Sequence, residues 1–492
     1  MIVSTPAKPW KPWAIKRPSN DYPPPMEPKS LQYIAEACGG RLTSSRPEVL
    51  AIGISTDSRL LKPGELFVAL RGENFQGHQF LEAAVKAGAG AVLVEESNPP
   101  AGFQGCPVIL VRDTRRALGL IASRYRAEFI PLVIAVGGSN GKTTTKELIA
   151  SILRTRWQVI WSEASFNNDV GVPLTLLRLE RQHRAAVLEA GTNHPGELSP
   201  LLNMIRPRFG IITNIGREHL EFFGTVDGVA REEGSLAEVL SKNGVLFLQG
   251  DSPWSDAIAA RTRARVVRVG FGLNNDWRAE NLRADQTGVR FSVRAPATIW
   301  DGEYRVPLIG RHQVANALFA LAVAGENHFT KSEMEAGLAS CPPPKMRLQL
   351  KWIGGVGWLN DAYNSNPDSL RAAIETLSEL PCSGRRFAIL GEMLELGARS
   401  EEAHIEAGQM AAAAHLDGLW TVGRWAAGTA QEAKHGGVED AIAVADAAEA
   451  VECLARVVRP GDLVLLKASR GARLETIEKL WEERRVEDLA LH

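Results

Sequence analysis

The sequence predicts an α/β protein built around a phosphate-loop type, mostly parallel sheet, and three observations predict it. The stretch PLVIAVGGSNGKTTTKELIASILRTR, 131–156, runs from an apolar β-rich segment through glycines into a helix pattern with Leu148, Ile149, Ile152 and Leu153 on one face. Strand patterns alternate with helix patterns from about 116 to 325, as a parallel sheet requires. The same alternation resumes after 326 without a phosphate loop of its own. A chain of 492 residues suggests about three domains.

Residues 1–28 hold eight prolines with Lys8, Lys11, Lys16, Arg17 and two tryptophans, and offer no periodic apolar face. They read as a disordered tail. Met26 stands just before the first helical pattern, Leu31 to Ala37, so the tail is either an upstream-start extension or a docking peptide. A compact α/β unit follows, 29–115. Pro63 and Gly64 turn into the strand LFVAL, and Phe80, Ala83, Ala84 and Ala87 space a helix that ends at Gly88. Ser55, Asp57 and Ser58, with Arg59, fall just past a short strand, where they serve either a ligand or the turn itself.

The central unit, 116–325, carries its chemistry at strand ends. In the loop, Gly137, Gly138 and Gly141 let backbone N–H groups face a phosphate, Lys142 adds a charge, and the Thr143 hydroxyl suits a Mg²⁺ shell at the helix N-terminus. Val136 stands where a first glycine is expected, so the loop is one residue short of the usual spacing. Strand 185–188 ends at Glu189, and strand 210–213 ends at Asn214, five residues before His219. Ligands of open α/β sheets sit at such ends, so Lys142, Thr143, Glu189 and His219 are expected to converge on a nucleotide and a metal. Asn167 and Asn168 add two amides able to reach a phosphate oxygen or a metal-bound water, or simply to make a turn. In RHQVANALFALAVAG, His312 and Asn316 lie four apart on one helix face. The last unit, 326–492, has strands at 387–390, 419–422 and 462–469; Asp361, Asn364 and Asn366 surround a turn closed by Pro367.

Bulk properties narrow the class. A net charge of −1 argues against general nucleic-acid or membrane-surface binding. Five scattered cysteines without a C-x-x-C pair indicate neither a disulfide framework nor a zinc site. No apolar run is long enough for stable membrane insertion and the N-terminus lacks a signal-peptide core, so a cytoplasmic, monomeric protein is expected.

GGSNGKTTTKE, FNNDVGVPLTLL, LEAGTNHPGEL, TNIGREHLEFFG, GRHQVANAL, DAYNSNPDSL, LGEMLELG and KASRG, in this order, resemble the Mur ligases, and DAYNSNPDSL resembles their dipeptide-adding branch. The resemblance implies three domains, with a central ATPase and a Rossmann-like C-terminal domain. It also implies ATP and Mg²⁺ as cofactors, and joining of D-alanyl-D-alanine to UDP-N-acetylmuramoyl-tripeptide through an acyl phosphate. By the same resemblance Gly138, Asn140, Gly141, Lys142, Thr143 and Thr144 cradle the phosphates. Thr143 holds a first Mg²⁺, and Glu189 and His219 hold a second. Asn316 contacts adenine, Asp361 ribose and Arg347 the nucleotide. Ser55, Asp57 and Ser58 bind the UDP moiety, and Asn167, Asn168 and Asn364 are further substrate-binding candidates.

Gln313, Gln76 and Ala468 depart mildly from the family pattern. A larger departure follows His219. The family carries a carbamylated lysine about fourteen residues on, whose place is taken here by Glu233, so the Glu233 carboxylate is expected to join the metal shell. The alternatives are a polyglutamate-adding ligase of the same fold and a non-catalytic ATP-binding regulator, the second resting only on the missing lysine.

Overall fold

The computed structural model describes residues 26–72, 75–98, 103 and 105–490. The chain divides into two compact units. One comprises the described residues up to 133 with 158–190 and 200–206; the other comprises 134–157, 191–199 and 207 onward.

In the first unit a five-stranded sheet runs in the order Arg41–Leu42, Val108–Val111, Ala91–Glu95, Leu66–Val68, Ile54–Ser55. Its pairs are parallel except at Arg41–Leu42. The expected helix after Phe80 is Leu81–Lys86, entered through a 3-10 turn at Gly77–Phe80, and Gly88 with φ 91° closes it. Met26, Glu27 and Pro28, assigned to the tail from composition, have defined places. Met26 is buried and the Glu27 N–H donates to the Tyr125 hydroxyl at 2.9 Å. The remainder of the tail assignment lies outside the described residues. In the same unit the strands Val159–Trp161 and Ala185–Glu189 pair in parallel.

The second unit contains two sheets. In the first, Leu132–Gly137, Phe209–Ile212, Val245–Gln249, Arg265–Gly270 and Trp277–Asp285 follow one another in parallel. Gly288–Arg294 and Gly302–Val306 then complete an antiparallel meander. Reading this region as parallel alternation missed that meander, because only a short turn at Gln286–Thr287 separates two of its strands. The phosphate-loop helix, Lys142–Leu153, is packed by His312–Glu326 and by Lys331–Ala339, whose Gly337 lies against Ile152. The second sheet has the order Gln349–Ile353, Val356–Asp361, Leu463–Lys467, Arg386–Leu390, Gly418–Val422, Asp440–Val444. All of its pairs but the first are parallel, and apolar clusters fill both faces, as a doubly wound sheet demands.

Candidate nucleotide site

Four buried residues, Val133 to Val136, fix the strand that feeds the loop. Gly138 and Gly141 take φ of 106° and 83°, and a Cβ on either would collide with Thr213 or with Asn316, so only glycine serves at these two turns. Gly141 is the N-cap of helix Lys142–Leu153 and makes no side-chain cap, the kind of helix N-terminus that attracts an anion. The Asn140 N–H donates to Asn214 Oδ1 at 2.7 Å, and the Asn140 carbonyl accepts from the Thr213 hydroxyl at 2.6 Å. These bonds tie the loop to the end of the neighbouring strand.

Lys142 Nζ donates to the carbonyls of Gly138 at 2.5 Å and Ser139 at 3.1 Å, and lies 3.5 Å from Glu218 Oε2. Glu218 and Glu233 are both buried. Burial pushes the Glu218 carboxyl up, against the pull of Lys142 and His219. Burial also pushes Glu233 up, to about 7; Lys142 opposes this and the Glu218 charge adds to it. Glu233 Oε2 accepts the Gly138 N–H at 2.6 Å, so this carboxylate sits on the phosphate loop. Its neighbour Glu232 accepts from the Gly196 and Leu198 N–H groups, each at 2.9 Å, and is not simply solvated.

Among the expected nucleotide contacts, Thr143 accepts from Arg347 Nη2 at 3.0 Å, and Thr144 is buried. Asn316 is committed within the protein: its Oδ1 accepts from Thr145 at 3.1 Å and its Nδ2 donates to Gln313 at 2.8 Å. Asp361 pairs with buried Lys467 at 2.9 Å and accepts the Leu348 N–H; the Asn364 carbonyl accepts from the same lysine at 2.6 Å. His219 adopts φ 48°, with Nδ1 against Glu395 and Nε2 3.7 Å from Glu218. Thus Gly138, Asn140, Gly141, Lys142, Thr143, Arg347, Glu233 and His219 belong to one unit.

Thr144, Asn316, Asp361 and Asn364 belong to the same unit, whereas Ser55, Asp57, Ser58, Asn167, Asn168 and Glu189 belong to the first. Glu189 is buried and accepts from Asn167 Nδ2 at 2.9 Å. Asn168 Oδ1 accepts the Val170 and Gly171 N–H groups at the turn into helix Gly171–Leu176. The Ser55 hydroxyl donates to the Asp57 carbonyl and accepts the Asp57 N–H, Asp57 also pairs with Arg59, and Ser58 is half-buried beside them.

Sequence reasoning missed Ser139, Arg217, Glu218 and Glu395, and named Asn366 only as a turn residue. Asn366 caps helix Pro367–Glu379 and also donates to Asn140 Oδ1 at 3.0 Å. Arg217 and Glu218 immediately precede His219, and that adjacency in GREHLE was the available signal.

The donors here are hard oxygens plus one imidazole. No group of three His, Cys, Asp or Glu side chains forms a ready cage among the described residues. This set suits Mg²⁺, which keeps waters and is bound through one or two carboxylates together with substrate phosphates.

Three family models match the chain: Mur ligase family, catalytic domain, at 52–126; Mur ligase middle domain at 136–324; and Mur ligase, glutamate ligase domain, at 346–470. UDP-N-acetylmuramoyl-tripeptide--D-alanyl-D-alanine ligase of Bacillus subtilis is 35% identical over 460 residues, covering 92% of this chain and 98% of that one. A crystal structure of MurF from Acinetobacter baumannii is similar with TM-score 0.84 and 29% identity, covering 93% and 100% of the two chains. MurF ligase from Thermotoga maritima, solved in complex with ADP, has TM-score 0.76 and 26% identity, with 87% and 97% covered. With a phosphate loop of the expected build and relatives matched over nearly their whole length, this chain belongs to the Mur ligase family.

Proposed function

We propose that this protein uses ATP to join D-alanyl-D-alanine to UDP-N-acetylmuramoyl-tripeptide, in the cytoplasm. The carrying observation is the 35% identity to a ligase of that name across 98% of its length. The uncapped helix N-terminus at Gly141, with Lys142 beside it, supports ATP as cofactor.

A carboxylate resists attack by an amine, so the tripeptide carboxylate first takes the γ-phosphoryl group and gives an acyl phosphate and ADP. The free amine then attacks the acyl carbon and phosphate leaves. Lys142 exchanges its carbonyl partners for phosphate oxygens, while the loop N–H groups orient the same phosphates. Thr143 and His219 would hold Mg²⁺, which neutralises phosphate charge when bound. Glu233 fits that reading as the acid beside the loop: it reaches Gly138 directly and needs no carbamate.

The same proposal takes 29–115 as the substrate-binding domain, 116–325 as the ATPase and 326–492 as the acceptor domain. The family matches at 52–126, 136–324 and 346–470 support this division, although helix Lys331–Ala339 packs with the phosphate-loop helix. Ser55, Asp57 and Ser58 fall to the UDP moiety; Asn167, Asn168 and Asn364 are further candidates for substrate, and Asn316 and Asp361 for the nucleoside.

The test is ATP-dependent phosphate release with UDP-N-acetylmuramoyl-tripeptide and D-alanyl-D-alanine. Release with L-glutamate in place of the dipeptide would identify a polyglutamate-adding ligase. No release with either acceptor would leave an ATP-binding regulator.

A further inference from the structure

The segment Arg217–Glu221 reads in two directions. Glu218 turns toward Lys142, whereas Arg217, His219 and Glu221 reach residues 368–406. Arg217 meets Asp368 through its backbone N–H at 2.7 Å and its side chain at 2.8 Å, and Glu406 at 2.6 Å. The Glu221 N–H donates to the Glu395 carbonyl at 3.0 Å, and Gly397 lies against Glu221. Between these anchors the Glu395 carboxylate closes on His219 Nδ1.

Both members of this pair hold unusual backbone. His219 and Glu395 have φ of 48° and 61°, a left-handed conformation that non-glycine residues keep only when their surroundings impose it. Those surroundings are present for Glu395. The Gly391 N–H donates to the Lys467 carbonyl at 2.8 Å, Met393 N–H to His404 Nε2 at 3.0 Å, and Leu394 N–H to Ser469 Oγ at 3.0 Å. Met393 and Leu396 are buried on either side. The carboxylate is thus presented by a pinned loop rather than by a free side chain.

We propose that Glu395 is a positioning residue for His219. By accepting the Nδ1 proton it selects the tautomer whose Nε2 lone pair faces Glu218 and the phosphate loop. Because Glu395 lies in the segment that follows strand Arg386–Leu390, docking of that segment arms the imidazole for a divalent cation. The assignment rests on the reading of His219 as a nucleotide-site residue. Outer partners of this kind are worth about 10–100-fold in metal affinity.

The test uses the full chain with ADP and Mn²⁺ as probe. Nitrogen-15 NMR is expected to show the wild-type His219 proton on Nδ1. Glu395→Ala is expected to mix the tautomers and weaken Mn²⁺ binding, read by electron paramagnetic resonance, by about 10-fold or more. Glu395→Gln, whose amide oxygen still accepts, should recover the tautomer, and Glu401→Gln, on an exposed position of the next helix, should change neither readout. A wild-type proton on Nε2 overturns the proposal, as does a Glu395→Ala variant with unchanged tautomer and Mn²⁺ affinity. The wild-type spectrum decides even if the alanine variant does not fold. Absence of phosphate release with every acceptor, with the tautomer as expected, would sink the ligase reading and leave the pair standing.

Discussion

At Lys142 one ammonium group serves two loop carbonyls and stands near the buried Glu218 carboxylate. Lys142→Ala removes the charge that meets phosphate but no core contact, so ligation should fall by at least about 10²–10³-fold while the melting temperature stays close to wild type. Near-normal turnover in this variant would refute the phosphate-loop assignment. Glu233 gives a second prediction at this scale. Activity should be indifferent to removal of dissolved CO₂, and Glu233→Ala should raise the Mg²⁺ requirement at least several-fold. Glu232 is an unsuitable comparison because it holds two backbone N–H groups, so exposed Asp227→Asn is the proper control. Equal effects of Glu233→Ala and Asp227→Asn on the Mg²⁺ titration would remove Glu233 from the metal's surroundings.

Among the elements, helix Ser400–Ala413 does more than pack, since its buried His404 takes the Met393 N–H on Nε2 and meets the Ser400 carbonyl through Nδ1. Burial lowers the His404 pKa below its ordinary 6.5. The unfolded chain therefore binds the proton first as pH falls through 6.5, and stability is lost from there down to the lower folded value. His404→Gln can supply both hydrogen bonds without titrating, so its loss of melting temperature between pH 7.5 and 5.5 should be smaller than wild type. The slope should shrink and not vanish, because His78, His183 and His312 are shifted down by burial too. An unchanged slope would show that His404 stays neutral in both states. Elements of this kind were legible where period and punctuation agreed: the phosphate loop, its helix and the strands expected at 387–390, 419–422 and 462–469 all lie within a residue or two of where the sequence puts them. What stayed hidden depends on partners distant in sequence. Glu395 is 176 positions from His219, and nothing local distinguishes it from a solvated carboxylate.

For the whole molecule, the boundary of the tail can be tested by length. Removing residues 1–25 should leave activity unchanged, since their composition offers no face to join a core. Removing residues 1–30 should lower the melting temperature clearly. It deletes buried Met26, the Glu27 bond to Tyr125, the Lys29 pair with Glu128 and the Ser30 cap of helix Leu31–Cys38. Similar melting of the two truncations would mean that residues 26–30 contribute nothing.

The order of the last sheet carries a consequence for synthesis. Strand Leu463–Lys467, made after both of its neighbours, pairs with Val356–Asp361 on one side and Arg386–Leu390 on the other. Until it arrives, two apolar strands made about thirty residues apart each carry an unsatisfied edge, the arrangement that recruits foreign strands. A chain ending before Leu463 should accumulate as aggregate, not as a smaller folded sheet, and sedimentation of the expressed fragment would show it. Translation thus has to pass Lys467 before the sheet can close, and for that whole interval the two open edges are exposed to misassembly.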